Sequence, residues 1–138
     1  MSSGLFDTAT KALGSSINFR QLRHAVTSGN IANAETPGYK AKKLDFEGAL
    51  SRAIEMEKKP HLYTTHPDHF AIGPGSMARV RADVYDNPDV NTTNDGNTVD
   101  MEKEMAKMAE NSILYKGAVE AIRKKLGALK YAVTEGGR

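Results

Sequence analysis

The fold is decided by residues 98–133, which read TVDMEKEMAKMAENSILYKGAVEAIRKKLGALKYAV. This stretch contains no proline, and apolar or small residues recur along it at alternating spacings of four and three. Such a heptad seam is typical of a helix that packs lengthwise against other helices. The seam consists of Met101, Met105, Met108, Ser112, Tyr115, Val119, Ile122, Leu126, Leu129 and Val133.

The ends of this stretch carry the signals of a helix start and a helix end. Asn97 or Thr98 is expected to cap the start, where acidic residues cluster, and basic residues are enriched near the end. A helix of about 36 residues is about 54 Å long. Because a compact domain of this size does not need such a helix, we expect other helices to cover it.

The obvious first partner is a second predicted helix, from Leu5 to about Asn33, which is also free of proline. Its apolar pattern is weak, because Gly14 and Arg23 interrupt it and a glycine inside a helix costs about 1 kcal/mol relative to alanine. We therefore predict a two-helix antiparallel hairpin whose remaining faces are buried by neighbouring copies.

The first helix is predicted to end at residues 33–39, NAETPGY. Pro37 cannot continue a helix, and proline followed by glycine at the centre of a turn favours type II, with a positive φ at Gly38. Beyond the turn, Asp45 is expected to cap a short helix that Pro60 ends. The apolar face of that short helix carries Phe46, Ala49, Leu50, Ala53 and Ile54.

The middle of the chain, residues 61–97, is rich in proline and turn-forming pairs and is predicted to contain strands and loops. The best strand is 78–85, where Val80, Ala82 and Val84 alternate with charged residues, which indicates a half-buried strand. The predicted fold is thus mainly α, with a short helix and a small irregular β/loop segment between the two hairpin helices. Its divisions are 1–40, 41–97 and 98–138, and the two terminal helices form one core domain.

Composition excludes several function classes. Lys and Arg number 19 against 17 for Asp and Glu, a net charge of +2 that is too balanced to indicate nucleic-acid binding. The chain has no cysteine, which excludes disulfides and thiolate metal sites. No apolar run reaches the roughly 18 residues that a membrane span needs, and the first residues do not resemble a cleavable signal peptide. Membrane insertion is therefore not expected.

Two stretches could bind metal ions, but we assign neither as a site. The first is the histidine loop His61, His66, Asp68 and His69, whose spacing matches no standard zinc or nickel site. The second is a run with the spacing of a calcium loop, which lacks the preceding helix of an EF-hand: Asn91, Thr93, Asp95, Gly96, Asn97 and Glu102. Motifs of phosphate loops or catalytic nucleophiles are missing from the sequence, so neither an enzyme nor a cofactor is predicted.

Residues 28–40, SGNIANAETPGYK, resemble the N-terminal signature of bacterial flagellar rod and hook proteins. A second block, residues 95–105, DGNTVDMEKEM, followed by Ala109 to Ser112 and by Tyr115, is similar to proximal-rod members of that family. The resemblance implies terminal helices from many subunits packed as coiled-coil layers around an export channel. It also implies a structural subunit at the cell-proximal end of the rod that transmits torque towards the hook.

The resemblance further implies location and partners. A member of this family lies in the basal body outside the cytoplasmic membrane, and it is exported unfolded by the flagellar type III apparatus without a cleaved signal. Its partners are copies of itself and other rod and rotor-adaptor proteins. A helical-hairpin export chaperone or adaptor is the alternative hypothesis, for which a free, folded dimer is expected.

The residues expected to shape assembly fall into three groups. The signature group consists of Asn30, Asn33, Thr36, Pro37, Gly38 and Tyr39. The group that leads into the C-terminal helix consists of Asp95, Gly96, Asn97 and Asp100. The packing group consists of the seam residues Met101, Met105, Met108, Tyr115, Val119, Ile122, Leu126, Leu129 and Val133.

Overall fold

A computed structural model describes residues 7–57, 80–87 and 94–135 of the chain. Three helices and a two-stranded antiparallel sheet make up the described part. In chain order these elements are α1 (Thr8–Ala32), β1 (Lys42–Asp45), α2 (Glu47–Glu57), β2 (Asp83–Asp86) and α3 (Met101–Glu135). The prediction of a mainly α fold with long terminal helices is confirmed, while Leu5 and Pro60, its expected helix limits, lie outside the described residues.

The two long helices start at aspartate caps. Asp7 accepts a hydrogen bond of 2.9 Å from the backbone N–H of Thr10 at the start of α1. At the start of α3 the Asp100 carboxylate accepts from the backbone N–H of Lys103 at 3.1 Å. The prediction that Asn97 or Thr98 caps this helix is therefore wrong, because both side chains are bonded elsewhere.

The strand pair differs from the prediction in extent and environment. β1 and β2 pair antiparallel, with Lys42 opposite Asp86 and Asp45 opposite Asp83. The strand predicted at 78–85 is only 83–86 within the described residues, and all four of its residues are exposed. The predicted alternation holds for Val80 and Ala82, which are half-buried, but not for Val84, which is exposed while its cross-strand partner Leu44 is buried.

Asp45 has a different role from the one predicted. It ends β1, and its carboxylate accepts a hydrogen bond from the hydroxyl of Tyr85 on β2. The cap prediction for α2 failed because this partner lies on a strand that pairs across forty positions of the chain. α2 itself begins at Glu47, close to the predicted place.

The apolar core is small and lies between α1, β1 and α2. Its buried members are Leu44, Phe46 and Leu50, against which Phe19, Val26, Ile54 and Ala82 pack. The rings of Phe19 and Phe46 stack with centroids 5.2 Å apart. The guanidinium of Arg23 lies over the Phe46 ring, 4.6 Å from its centre, and it pairs with Glu47. This core fixes the central segment against the first helix.

The interface between α1 and α3 has a different character. Among the described residues, every buried residue of these two helices is polar: Thr10, Thr27, Asn30, Glu104 and Asn111. Of the predicted seam, six residues are half-buried: Met108, Ser112, Tyr115, Val119, Ile122 and Leu129. The other four are exposed: Met101, Met105, Leu126 and Val133. The hairpin therefore covers the seam only in part.

The length of α3 also exceeds what α1 can cover. Lys125 of α3 contacts Asp7, the cap of α1, and α3 continues from there to residue 135. Ten residues of helix, about 15 Å, thus follow the bond between Lys125 and the cap of α1. In the described ranges, no helix has an apolar stretch long enough to cross a membrane.

Candidate assembly site

The two sequence blocks meet at one end of the hairpin, where α1 ends and α3 begins. We call this contact region the clasp. It comprises Asn30, Asn33, Thr36, Gly38, Tyr39, Asp95, Gly96, Asn97, Thr98 and Glu104. Its polar side chains bond to both backbone and side-chain atoms, and four of them are almost fully buried: Asn30, Asn97, Thr98 and Glu104.

Asn97 holds the segment that follows α1. Its side-chain N–H group donates to three backbone carbonyls, those of Asn33 at 2.9 Å, Ala34 at 2.9 Å and Thr36 at 2.8 Å. Carbonyls just past a helix end have no partner in the helix, so a side-chain donor satisfies them. The Asn97 side-chain oxygen accepts from the backbone N–H of Val99 at 2.7 Å, which ties the same residue to the approach to α3.

Two glycines bring the backbones of the blocks together. Gly38 has φ 71° and Gly96 has φ 81°, a region that residues with a Cβ rarely adopt. The Gly38 N–H donates to the carbonyl of Asp95 at 3.0 Å, and a Cβ at Gly96 would lie 3.6 Å from the Gly38 Cα. The positive φ predicted for Gly38 is confirmed, and the Tyr39 N–H closes the turn on the Thr36 carbonyl at 3.2 Å.

Thr98 continues the pairing of the two blocks. Its backbone N–H donates to the carbonyl of Tyr39 at 3.0 Å, and its hydroxyl accepts from the backbone N–H of Ala41 at 2.8 Å. Thr98 and Ala41 are both buried. The segment before α3 is therefore held against the segment before β1 by backbone and side-chain bonds.

Asn30 connects α1 to both β1 and α3. It is fully buried. Its side-chain oxygen accepts a hydrogen bond from the backbone N–H of Lys42 at 2.8 Å, and its side-chain nitrogen donates to the backbone carbonyl of Lys42 at 2.7 Å. The same amide donates to the carboxylate of Glu104 at 2.8 Å. Lys107 donates to the other Glu104 oxygen at 2.7 Å, so the buried charge has a cationic partner.

A second contact between the helices lies at their far end. The Lys125 ammonium donates to both carboxylate oxygens of Asp7, at 2.5 and 2.7 Å. This bond, together with those from Thr10, holds the pKa of Asp7 well below its usual range. At the other end, the bond from the Lys103 side chain, with that from its backbone N–H, lowers the pKa of the Asp100 cap. Both caps are therefore stabilised as carboxylates.

Sequence reasoning assigned most of the clasp but missed two residues. Pro37 is exposed and shapes the turn, without a side-chain bond in the clasp. Glu104 was interpreted as an acid that favours the helix start, and Thr98 as a cap. A signal for Glu104 was present, because it precedes Met108, Asn111 and Tyr115 by the seam spacing of four and three. That spacing places a carboxylate on the inner face of the helix.

A cavity of about 300 Å³ lies beside the clasp between α1 and α3, and its lining includes Glu47, Glu104 and Lys107. Both of these carboxylates are bonded to cations, an arrangement typical of structural ion pairs. Within residues 7–57, 80–87 and 94–135, no group of three His, Cys, Asp or Glu residues is placed to hold a metal ion. The histidine loop, from His61 to His69, lies outside the described residues, as do Asn91 and Thr93 of the calcium-like run.

Comparison with known proteins shows which sequences this chain resembles. Residues 7–40 match the sequence profile described as flagella basal body rod protein. The chain is 35% identical to the flagellar basal body rod protein FlgB of Aeromonas hydrophila, over 93% of this chain and 94% of the relative. It is 30% identical to the proteins of the same name from Escherichia coli K12, over 94% and 96% of the two chains, and Bacillus subtilis 168, over 96% and 98%.

Proposed function

The chain belongs to the family of flagellar basal body rod proteins FlgB, and from this premise we propose that the clasp and the open face of α3 are its assembly elements. The protein is a structural subunit of the basal-body rod. In this proposal the clasp gives each subunit a hairpin of defined shape. The uncovered side of the seam then packs against the terminal helices of neighbouring subunits.

The observation that supports this proposal most strongly is the exposed apolar surface of α3. Of its residues, Met105 is 58% exposed, Ile113 71% and Val133 75%. Single exposed apolar residues are ordinary, but a series of them along one long helix is typical of a surface that another protein covers. Methionines at such positions adapt to more than one packing geometry.

The end of α3 that extends past Asp7 supports the same proposal. Tyr131 and Val133 are both exposed there, at 65% and 75%, beyond the bond between Lys125 and Asp7. A helical extension with large apolar side chains gains stability when a helix from another subunit lies along it. We therefore assign this extension to contacts between subunits.

The finer parts of the proposal concern location and partners. We place the subunit in the proximal rod, outside the cytoplasmic membrane, after export through the flagellar type III apparatus. Its partners in this proposal are copies of itself and other rod and rotor-adaptor proteins, and the segments 1–40 and 98–138 together form its assembly core. The small apolar core and the polar helix interface support passage in an unfolded state, because the hairpin alone is held together weakly.

Family membership gives the alternative of an export chaperone or adaptor no support. The relatives are named as rod proteins, and the chain covers nearly their full length. Catalysis and cofactor binding have no part in the proposal. We interpret the ion pairs of Glu47 with Arg23 and of Glu104 with Lys107 as structural contacts.

The rod assignment is tested by replacing the FlgB gene of a motile host with a tagged version of this chain. We expect the cells to swim and the tagged chain to co-purify with isolated basal bodies. A matched Ile122→Asp chain should be expressed but missing from the basal bodies, because the charge enters a half-buried seam position. Swimming cells whose basal bodies lack the tagged chain would contradict the assignment.

A further inference from the structure

We propose that three polar contacts between α1 and α3 select the register of the hairpin, and we call them the register contacts. They join the Asn30 amide to Glu104, at 2.8 Å, the Asn111 amide to the backbone carbonyl of Arg20, at 2.8 Å, and Asp7 to Lys125, at 2.5 Å. The inference goes beyond the rod assignment, because it concerns the alignment of two helices within one chain.

The positions of the contacts agree with a single antiparallel alignment. On α3 the three residues Glu104, Asn111 and Lys125 are spaced by multiples of seven, so they lie in one row along the helix. Their α1 partners run in the opposite direction along the chain, from Asn30 to Asp7. The three contacts therefore occur at the middle and near both ends of the interface.

Apolar packing alone does not select this register. The half-buried residues Met108, Tyr115, Ile122 and Leu129 repeat every seven positions. A slip of α3 by one heptad, about 10 Å, would again bring apolar residues to apolar positions. The same slip would separate Glu104 from the Asn30 amide and Asn111 from the Arg20 carbonyl, and the loss of hydrogen bonds by buried polar groups disfavours the slipped structure.

A contribution to the stability of the hairpin does not explain why an asparagine occupies position 111. Asn111 is 4% exposed, and its side-chain oxygen is buried without a hydrogen-bond partner, as is one terminal nitrogen of Arg20. A leucine at this place would bury a comparable volume without leaving a polar atom unpaired. A polar residue in a helix interface that reduces stability and fixes the alignment is a known device of coiled coils.

The test measures the distance between two spin labels on the full chain. Because the sequence has no cysteine, Ala25→Cys and Lys130→Cys give two specific label sites on exposed positions of α1 and α3. They are offset by about 35 Å along the hairpin axis in the observed alignment, and a slip of one heptad changes this offset by about 10 Å. Pulsed electron paramagnetic resonance reads the difference directly.

The test chain carries Glu104→Leu, Asn111→Leu and Lys125→Leu. We expect the labelled parent to give one distance, and the test chain to give at least two, separated by about 10 Å, with helical circular dichroism no lower than that of the parent. The control chain carries Glu102→Leu, Lys124→Leu and Thr134→Leu, which make the same charge changes at exposed positions. It should keep the single distance of the parent.

Two results would overturn the inference. A test chain that keeps the single parental distance would show that the other bonds of the clasp set the register without the three register contacts. A parent without one dominant distance would show that the hairpin has no defined register for these contacts to select. Neither result depends on motility, so the rod assignment is tested separately.

Discussion

Asn30 and Glu104, 74 positions apart in the chain, share a hydrogen bond of 2.8 Å inside the interface of the two long helices. Asn30 belongs to the N-terminal signature, and Glu104 belongs to the second sequence block. Their contact makes the two blocks one structural unit, in which the same amide also holds Lys42 at the start of β1. The shape of the clasp therefore depends on a contact between residues that are far apart in the sequence.

The first prediction concerns Asn30. Asn30→Ala should lower the free energy of unfolding by about 3 kcal/mol, because Glu104 and both backbone groups of Lys42 lose a buried partner. Denaturant titration followed by far-UV circular dichroism measures the change. Asn18→Ala, at an exposed position of the same helix, is the control and should change stability by about 0.5 kcal/mol or less. Equal effects of the two substitutions would contradict the role of Asn30.

The second prediction compares two glycines that both have open space for a Cβ but differ in the sign of φ and in the element that contains them. Gly38→Ala should destabilise the chain by about 1–2 kcal/mol, because φ is positive there. Gly117→Ala should stabilise it by about 1 kcal/mol, because Gly117 lies inside α3 with open space around its Cα. Thermal unfolding of the two variants should thus shift in opposite directions, and shifts of the same sign would refute the account of Gly38.

The third prediction concerns the clasp side chain that binds three carbonyls. Asn97→Ala should lower the free energy of unfolding by about 2 kcal/mol, since the Ala34 carbonyl and the N–H of Val99 lose the Asn97 side chain, while the Asn33 and Thr36 carbonyls keep one backbone donor each. The matched control is Asn94→Ala, three positions earlier and exposed, which should be nearly neutral. A neutral Asn97→Ala would show that water replaces the side chain without loss.

The fourth prediction is a pH dependence at the far end of the hairpin. Because the bond from Lys125 depresses the pKa of Asp7 in the folded chain, the stabilisation is present above the ordinary pKa of 3.8 and is lost as the pH falls below it. Asp7→Asn keeps a capping side chain but removes the charge. The difference in thermal midpoint between parent and variant should therefore shrink from about pH 5 to about pH 2. A difference that is constant over this range would contradict the ion pair.

The sequence alone was sufficient to predict those features that neighbouring residues in the chain determine. The two long helices were predictable because their periodicity and lack of proline extend over many residues. The turn at Pro37 and Gly38 was predictable because the backbone preferences of these two residues favour it. The same local reasoning located the short helix after Asp45. The predicted cap of this helix was wrong, because the Asp45 side chain accepts a hydrogen bond from Tyr85 on β2 instead.

Features that depend on distant partners were not predictable in this way. β1, Lys42–Asp45, is a mainly polar stretch whose strand conformation comes from pairing with β2 about forty positions later. Asn97 has the sequence position of a cap, but its acceptors follow the other helix. The inner face of α3 was also only partly predicted, because the apolar seam omitted the polar residues Glu104 and Asn111, which are the buried ones.

The central claim is that the exposed side of the α3 seam packs against neighbouring subunits, and Leu126→Asp tests it most directly. Leu126 is 42% exposed in the single chain, so the charge should leave helicity and thermal midpoint close to those of the parent. In cells that depend on this chain for their rod, we expect Leu126→Asp to abolish swimming and incorporation into basal bodies, because it places a charge in a packed contact. Lys124→Asp, at an exposed charged position, should remain motile. Cells with Leu126→Asp that swim as well as the parent would contradict the account.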